Sequence, residues 1–528
     1  MPSTNPFNRS NPFNRRTDLQ RRGSLTLLLV VSVAAAALLL SSRSSAPAAA
    51  ATARVGASSA HQRAAVYNAE VTRSAGAPIK VPRSFLGISA EYWTIPTWGR
   101  EVRILHRVVS MLSPYGLLRL RIGGDSADRV QWSPTKELPE WVFELTPSWL
   151  QRVRGIVTGT GASVILDINI LTSTPKVAAH WAQTALRVLP KGSISAFEIG
   201  NEPDIYNQGA WLHMTAGPGA PPLPNRITSA GYAHSFAVYA RAISRVAPGI
   251  PLLGPALAEP QKNSDWVRKL LQVPHPKLAG ITVHRYPYSA CARQTAPTWP
   301  TIPRVLSQNA TAGMGQLALK LEHITDRAKL PLWFTEIDSV TCGGVRGVSN
   351  TFATALWAPD ALFELLRSGV EAAFVHVRPP LINKAFSLTS RGLTSYPLLY
   401  GMVVFSKMLG PQAKLVRLRL TAASGLRLKA WGVEVRGGVL HVLLINKGGR
   451  SASVRLKVPY RGPATVERLR APRVTSSGHV TFANQRLTRY GTWAGRRRVE
   501  TVKSIAGRTV IRVPAYSEAL ITVQLRHP

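Results

Sequence analysis

The sequence predicts a (β/α)8 barrel followed by a C-terminal β-sandwich, an α/β architecture, and three observations carry that expectation. Short β-branched runs alternate with helical stretches eight times between residues 84 and 408. Helical patterning then stops, and strand-like runs punctuated by Gly, Pro and Ser fill residues 409–528. The 528 residues are 45% hydrophobic and 17% charged, which supports a large core and excludes a wholly disordered or collagen-like chain.

The strands are expected at 85–89, 118–122, 164–168, 196–200, 252–255, 281–284, 332–336 and 373–377. Between them, helices are expected at 101–112, 147–158, 176–188, 230–246, 265–271, 314–328 and 351–368. Strands alternating with helices of this length read as βα units. An open doubly wound sheet is the alternative, but no G-x-G-x-x-G follows the first strand. Chemistry in a barrel sits at the C-terminal ends of its strands, which is where catalytic side chains should be sought. Beyond the barrel, strands are expected at 415–420, 426–435, 439–446, 453–458, 465–469, 509–513 and 519–524. Gly, Pro and Ser between them give the pattern of a sandwich. The extended segment 66–83 precedes the first barrel strand and is expected to join that sandwich. Four aromatics of the β-domain, Trp431, Tyr460, Tyr490 and Trp493, suit either core packing or stacking on sugars.

The first 65 residues are different in kind. A polar tail (1–24) repeats Asn-Pro-Phe-Asn-Arg at 5–9 and 11–15, and an Ala/Ser-rich linker occupies 41–65. Between them, residues 25–40 are uncharged and apolar and follow Arg21 and Arg22. A basic region before a short apolar run is the pattern of an export signal, and Ala51-Thr52-Ala53 offers a cleavage site. Sixteen helical residues span roughly 24 Å, short for a bilayer core, so both a cleaved signal and a single retained membrane anchor stay open. Either places the folded part in a secreted or extracytoplasmic location. In that compartment Cys291 and Cys342 are candidates for one disulfide, with two buried thiols as the alternative.

The formal net charge is +39, distributed as +7 over residues 1–65, +13 over 66–410 and +19 over 411–528. A field concentrated on the β-domain favours anionic partners: acidic polysaccharide, cell wall or lipid. No zinc-finger spacing or nucleic-acid helix signature points to a specific nucleic-acid partner.

Two carboxylates stand at strand ends. Strand four runs into Phe197-Glu198-Ile199-Gly200-Asn201-Glu202-Pro203-Asp204, and strand seven into Trp333-Phe334-Thr335-Glu336-Ile337-Asp338. These strands lie across the barrel mouth, so Glu202 and Glu336 can converge on one cleft. Such a pair can break a glycosidic bond, one acid protonating the leaving oxygen while the other attacks the sugar or activates water. Asn201 supplies an amide that could hold a sugar hydroxyl. Glu198 is expected to make a structural pair inside the barrel. No His/Asp/Glu spacing implies a metal, and no cofactor is implied.

On FEIGNEPD (197–204), WFTEIDSVTCGG (333–344), LRLRIGGDSAD (118–128), VHRYPYS (283–289) and TFATALWAPD (351–360), the chain resembles glycoside hydrolases of clan A. Within the clan it resembles family 79, the heparanase and β-glucuronidase group. The resemblance implies a hydrolase of β-linked uronic-acid glycans that retains configuration, with Glu202 as acid/base and Glu336 as nucleophile; the alternatives are a clan A glycosidase on a neutral sugar (β-glucosidase, β-xylosidase or arabinofuranosidase) and a non-catalytic glycan- or wall-binding protein. It further implies that Tyr286 hydrogen-bonds the nucleophile and that Glu91 and Asn201 contact sugar hydroxyls. Gly343 and Gly344 are implied to offer backbone N–H groups to a uronate carboxylate. His284 and His376 lie at strand ends, as structural donors or ligands. A Cys291–Cys342 bridge would tie the loops after strands six and seven. Heparanase is processed by removal of a linker, for which no insertion exists between strands one and two. The segment 209–228 could wall one end of the cleft, which would decide between exo and endo action.

Overall fold

The computed structural model describes residues 66–132, 142–207, 227–274, 278–379, 381–503 and 509–526. The tail 1–24, the apolar run 25–40, the linker 41–65 and nearly all of the 209–228 segment lie outside the described residues. Among the described residues no helix is long and apolar enough to cross a membrane.

Eight parallel strands close into the predicted barrel: β1 (Leu86–Glu91), β2 (Arg119–Gly123), β3 (Ser163–Ile168), β4 (Ile194–Ile199), β5 (Leu252–Leu257), β6 (Leu278–Arg285), β7 (Leu332–Ile337) and β8 (Ala372–Val377). They pair in chain order, and β8 returns to β1 with Ala373 opposite Leu86. Helices cover the outside, so strands are shielded on both faces and read as nearly continuous apolar runs. Every residue of β1, β5, β7 and β8 is accordingly buried. The helices Pro147–Thr160, Pro175–Val188 and Ser229–Val246 begin after Thr146, Thr174 and Thr228, whose hydroxyls accept first-turn N–H groups. Pro147 and Pro175 sit where a helix has no use for their missing donor.

One level of the barrel interior is apolar, built from Ile165, Ala196, Leu253, Trp333, Ala372 and Phe374. Gly87 makes room for Phe374, since a Cβ there would lie 2.2 Å from the ring. Towards the C-terminal ends the β6–β7 register slips by one residue: Val283 pairs with Phe334, but His284 pairs with Glu336. A bulge of this kind re-aims side chains. Thr335 and Glu336, consecutive in sequence, both reach inward, Thr335 donating to Glu198 at 2.8 Å and Glu336 accepting from Arg121 at 2.5 Å.

Apart from four two-stranded pairs, the remaining described strands form two sheets. The larger contains Ile79–Lys80, Lys414–Val416, Leu428–Val435, Val439–Asn446, Ser517–Leu525, Tyr460–Arg470 and Thr481–Phe482 in that order, with Glu500–Val502 paired to Tyr460–Arg470. The smaller orders Leu418–Ala422, Val66–Arg73, Ser451–Lys457 and Thr509–Val513. Alternating burial along Ser451–Lys457 marks one face turned to a core that it shares with Val71, Leu440, Val442, Leu444, Ile511 and Ile521 of the two sheets. Val66–Arg73 runs antiparallel to Leu418–Ala422 and parallel to Ser451–Lys457, so residues before the barrel complete the sheet.

The helix Phe352–Arg367 is buried in all but Arg367 because it packs under the sandwich as well as on the barrel. A helix covered all round needs internal partners for its polar groups. Asp360 accepts from Trp431 Nε1 and Thr311 Oγ1, each at 2.8 Å, and pairs with Lys447; Phe363 stacks on Trp431.

Candidate active site

Glu202 stands three residues past β4, held by backbone rather than by the strand. Gly200 and Glu202 both have positive φ, +87° and +52°, which turns the chain across the barrel mouth. Glu202 N–H donates to the Ala256 carbonyl at 3.0 Å. Asp204 then accepts from Ala258 N–H, Glu259 N–H and Asn263 Nδ2, all at 2.9 Å, which fastens this turn to the loop after β5. A non-glycine residue in the left-handed region persists only where its surroundings over-determine it.

Glu336 is positioned by one cation. The fully buried Arg121 on β2 donates to Glu336 Oε1 at 2.5 Å, Glu198 Oε2 at 2.5 Å, Asp167 Oδ2 at 2.8 Å, Asn201 Oδ1 at 3.0 Å and Ser89 Oγ at 3.2 Å. The other oxygen of Glu336 accepts from Tyr286 OH at 2.7 Å. His284 Nδ1 lies 2.8 Å from Glu202 and 3.8 Å from Glu336, and His376 Nδ1 lies 3.5 Å from Glu336. One oxygen of Glu202 and one of Glu336 come within 4.8 Å of each other. Their side chains keep 14% and 7% exposure, while Arg121, Glu198 and Asp167 keep none, so within this network the two glutamates can meet a ligand.

The environments push the two carboxyls apart. Burial raises Glu202 well above the ordinary carboxylate range, and the charges of Glu336, Asp125 and Asp204 add to it. Burial works the same way on Glu336, but His376, His284, Arg121 and the Tyr286 hydroxyl together outweigh it and hold its carboxyl below the ordinary range. Burial, more than any charge, lowers His284 to about 4, so it is neutral at pH 7. His376 moves upward: burial opposes its protonation, but Glu336 and Glu91 prevail. The two carboxyls are thus shifted in opposite directions, Glu202 towards its acid form and Glu336 towards its anion, the arrangement that acid-assisted nucleophilic cleavage requires.

The other residues singled out in the sequence fall in different places. Asn201 is buried beside Glu202, its Oδ1 on Arg121 and its amide among the groups that act on the Asp128 carboxyl. Glu91 corrects the expectation of sugar contact. It is fully buried, one oxygen accepting from Ser126 N–H at 2.8 Å and the other facing His376 and Arg378 at 3.5 and 3.4 Å, so it stands behind the surface a sugar could reach. Gly343 and Gly344 turn the loop after β7 with φ of +79° and +81°; Gly344 N–H already donates to Thr341 O at 3.3 Å, and Gly343 O accepts from Ile382 N–H at 2.9 Å. Cys291 and Cys342 are bonded, across 51 residues, beside the pairing of Tyr288–Ser289 with Val340–Thr341. Glu202, His284 and Glu336 each bring a ligand atom within 4.8 Å of the others and could hold a cation by distance alone. Arg121, 2.5 Å from Glu336, and the proton on Glu202 oppose that use.

Sequence reading missed Arg121 and Asp167 as site residues. The signal was present: each is a charged residue flanked by apolar ones in a buried strand, a position charge occupies only when paired. It also missed Asp128, whose carboxyl accepts from Tyr206 OH at 2.5 Å while that hydroxyl lies 3.4 Å from Asn201 N–H, supporting the turn that carries Glu202.

No protein-family model and no curated protein sequence matches the chain. Solved structures do. A 4-O-α-L-rhamnosyl-β-D-glucuronidase from Fusarium oxysporum 12S aligns over 87% of this chain and 100% of its own, with a TM-score of 0.68 and 17% identity. The GH51 arabinofuranosidase from Xanthomonas axonopodis pv. citri aligns over the same shares at 0.63 and 15%. A GH30 endoxylanase from Clostridium papyrosolvens C71 does so at 0.51 and 14%. The chain shares its fold with glycoside hydrolases. At these identities the likeness is one of fold, and the chemistry rests on the site.

Proposed function

We propose that this chain is an exported glycoside hydrolase that retains anomeric configuration and cleaves β-linked uronic-acid glycans. The observation that carries the reading is the pair Glu202 and Glu336, shifted in opposite directions and with oxygens within 4.8 Å at the ends of β4 and β7. Retaining enzymes hold their carboxyl groups about 5–5.5 Å apart, inverting ones about 6.5–9.5 Å to seat a water between acid and base. The close approach supports retention.

In the first step Glu336 attacks the anomeric carbon while Glu202 gives its proton to the departing oxygen, leaving a glycosyl ester on Glu336 and an ionised Glu202. Arg121 and Tyr286 each donate to one oxygen of Glu336 and hold it in place. Esterification removes the negative charge that helped keep Glu202 protonated, so Glu202 becomes a base of suitable strength. It then takes a proton from water, whose oxygen attacks the anomeric carbon and expels Glu336.

The uronate preference rests on the family 79 resemblance, with which the fold likeness to a β-D-glucuronidase agrees. One observation favours a neutral sugar instead, since Gly344 N–H is already taken inside its turn. A panel of 4-nitrophenyl glycosides decides: β-glucuronide, β-glucoside, β-xyloside and α-L-arabinofuranoside, with Glu336→Gln as control. Preferential glucuronide cleavage lost in Glu336→Gln is the expected result. Preference for a neutral sugar would move the specificity. Activity undiminished in Glu336→Gln would sink the mechanism.

A further inference from the structure

Of the four β-domain aromatics singled out in the sequence, three pack against the interior. Trp431 and Tyr460 are buried, and Trp493 packs against Tyr400 and Phe482. Tyr490 is 52% exposed, at the turn joining the paired strands Arg486–Leu487 and Trp493–Ala494. Its surroundings are assembled from three separate segments. Arg107, on the helix Val102–Leu112, donates to the Tyr490 carbonyl at 2.6 Å. The Arg489 guanidinium lies 4.8 Å over the Tyr490 ring. Leu393 N–H donates to the Arg489 carbonyl at 2.7 Å, and Gly392 fits so closely there that a Cβ would sit 2.4 Å from that oxygen. This contact brings Arg391, in the turn of the Phe386–Thr389 and Gly392–Ser395 hairpin, beside Arg489. Arg103 is one helical turn before Arg107 and on the same face. Residues 102–112, 386–395 and 486–498 contain eight arginines and no Asp or Glu. Arg103, Arg107, Arg391 and Arg489 are all exposed, and among the described residues none pairs with a carboxylate.

We propose that this surface, Arg103, Arg107, Arg391 and Arg489 around Tyr490, is a second glycan-binding site that takes an acidic polysaccharide away from the catalytic centre. Arg107 and Arg489 are held in place by Tyr490, through its carbonyl and its hydroxyl, and arginines without a carboxylate partner match carboxylate or sulfate groups by bidentate hydrogen bonds. The open part of the tyrosine ring offers a sugar ring an apolar platform with a polar edge. A single aromatic among the arginines suits one sugar ring better than the successive base stacks of a nucleic-acid groove. The proposal is independent of the catalytic reading, because it uses none of the residues around Glu202 and Glu336.

The test compares two four-charge variants of the full chain. One carries Arg103→Ser, Arg107→Ser, Arg391→Ser and Arg489→Ser. The other removes four exposed cations elsewhere on the β-domain: Lys414→Ser, Arg419→Ser, Arg461→Ser and Arg512→Ser. Binding of a heparin oligosaccharide is measured by calorimetry at fixed salt, beside a DNA duplex and phosphatidylserine vesicles. The patch variant is expected to bind heparin roughly ten-fold more weakly and the control variant within about two-fold of the parent, since local contacts add to a screened general field. Single substitutions at Arg391 and Arg489, both in exposed turns, give the same comparison should the four-fold variant fold poorly. Equal weakening in the two variants would reduce the effect to net charge and overturn the site. Tighter binding of the parent to the duplex or the vesicles than to heparin would overturn the glycan assignment.

Discussion

Replacing Arg121 by Met removes a single cation on which three buried carboxylates depend. Arg121 donates to Glu198 and Glu336 at 2.5 Å and to Asp167 at 2.8 Å, and its side chain is wholly buried. Breaking a buried ion pair by deleting one partner costs about 3–5 kcal/mol, because a charge is left without compensation. The three pairs share one cation, so their losses do not add. The stranded carboxylates escape part of the penalty by taking up protons, at about 1.4 kcal/mol per pKa unit. The expected loss is therefore about 3–5 kcal/mol near pH 7, a large part of the roughly 5–15 kcal/mol that stabilises a typical domain. The sign of its pH dependence follows. With Arg121 present, the lowered pKa of Glu336 contributes stability above the unfolded carboxylate pKa that disappears on acidification. Without it, the folded variant binds extra protons, so its deficit shrinks as pH falls towards about 5. Urea unfolding followed by circular dichroism, for both proteins at neutral and mildly acidic pH, measures this. A deficit below about 1 kcal/mol, or one that grows on acidification, would refute the role given to Arg121.

Glycoside hydrolysis should follow a bell in pH, its acid limb below the ordinary carboxylate range from Glu336 and its alkaline limb above that range from Glu202. Glu202→Gln should abolish the alkaline limb, and a limb that persists would assign it to another group. Tyr286→Phe removes a hydrogen bond to an ionised partner worth about 1.5–3 kcal/mol, so kcat/KM should fall roughly 10- to 150-fold with the fold intact. Steady-state kinetics on an aryl glycoside read this, and a change under two-fold would deny Tyr286 its place on the nucleophile. Cys342→Ser frees the loops after β6 and β7, and the 51-residue separation sets a chain-entropy ceiling of about 4 kcal/mol on the stability lost. KM should rise while the far-ultraviolet spectrum is preserved; unchanged kinetics would place the bridge outside the substrate site.

The barrel could be read from sequence because its signal is local. Strands shielded on both faces must be apolar, helices must be amphipathic, and Thr-Pro pairs such as Thr146-Pro147 and Thr174-Pro175 announce helix starts. Glu202 and Glu336 could be nominated for the same reason: Gly-Asn-Glu-Pro at one strand end is unusual over a few residues, and a second Glu ends strand seven. Glu91 shows the limit. The family resemblance implied that it contacts sugar, but a one-dimensional pattern does not say that Ser126, His376 and Arg378 surround it.

The sequence by itself determined the element order, the strand ends where chemistry would lie, and a strongly basic β-domain, because each is a property of neighbouring residues or of composition. Only the tertiary structure decided what those groups do to one another. The slip between β6 and β7 turns both Thr335 and Glu336 inward, and Arg121 arrives from a strand 215 residues earlier to meet Glu336. That convergence, with His376 and Tyr286, is what ionises one glutamate while burial keeps the other protonated. Coulomb energy depends on distance through space and on exclusion of water, and neither is written along the chain.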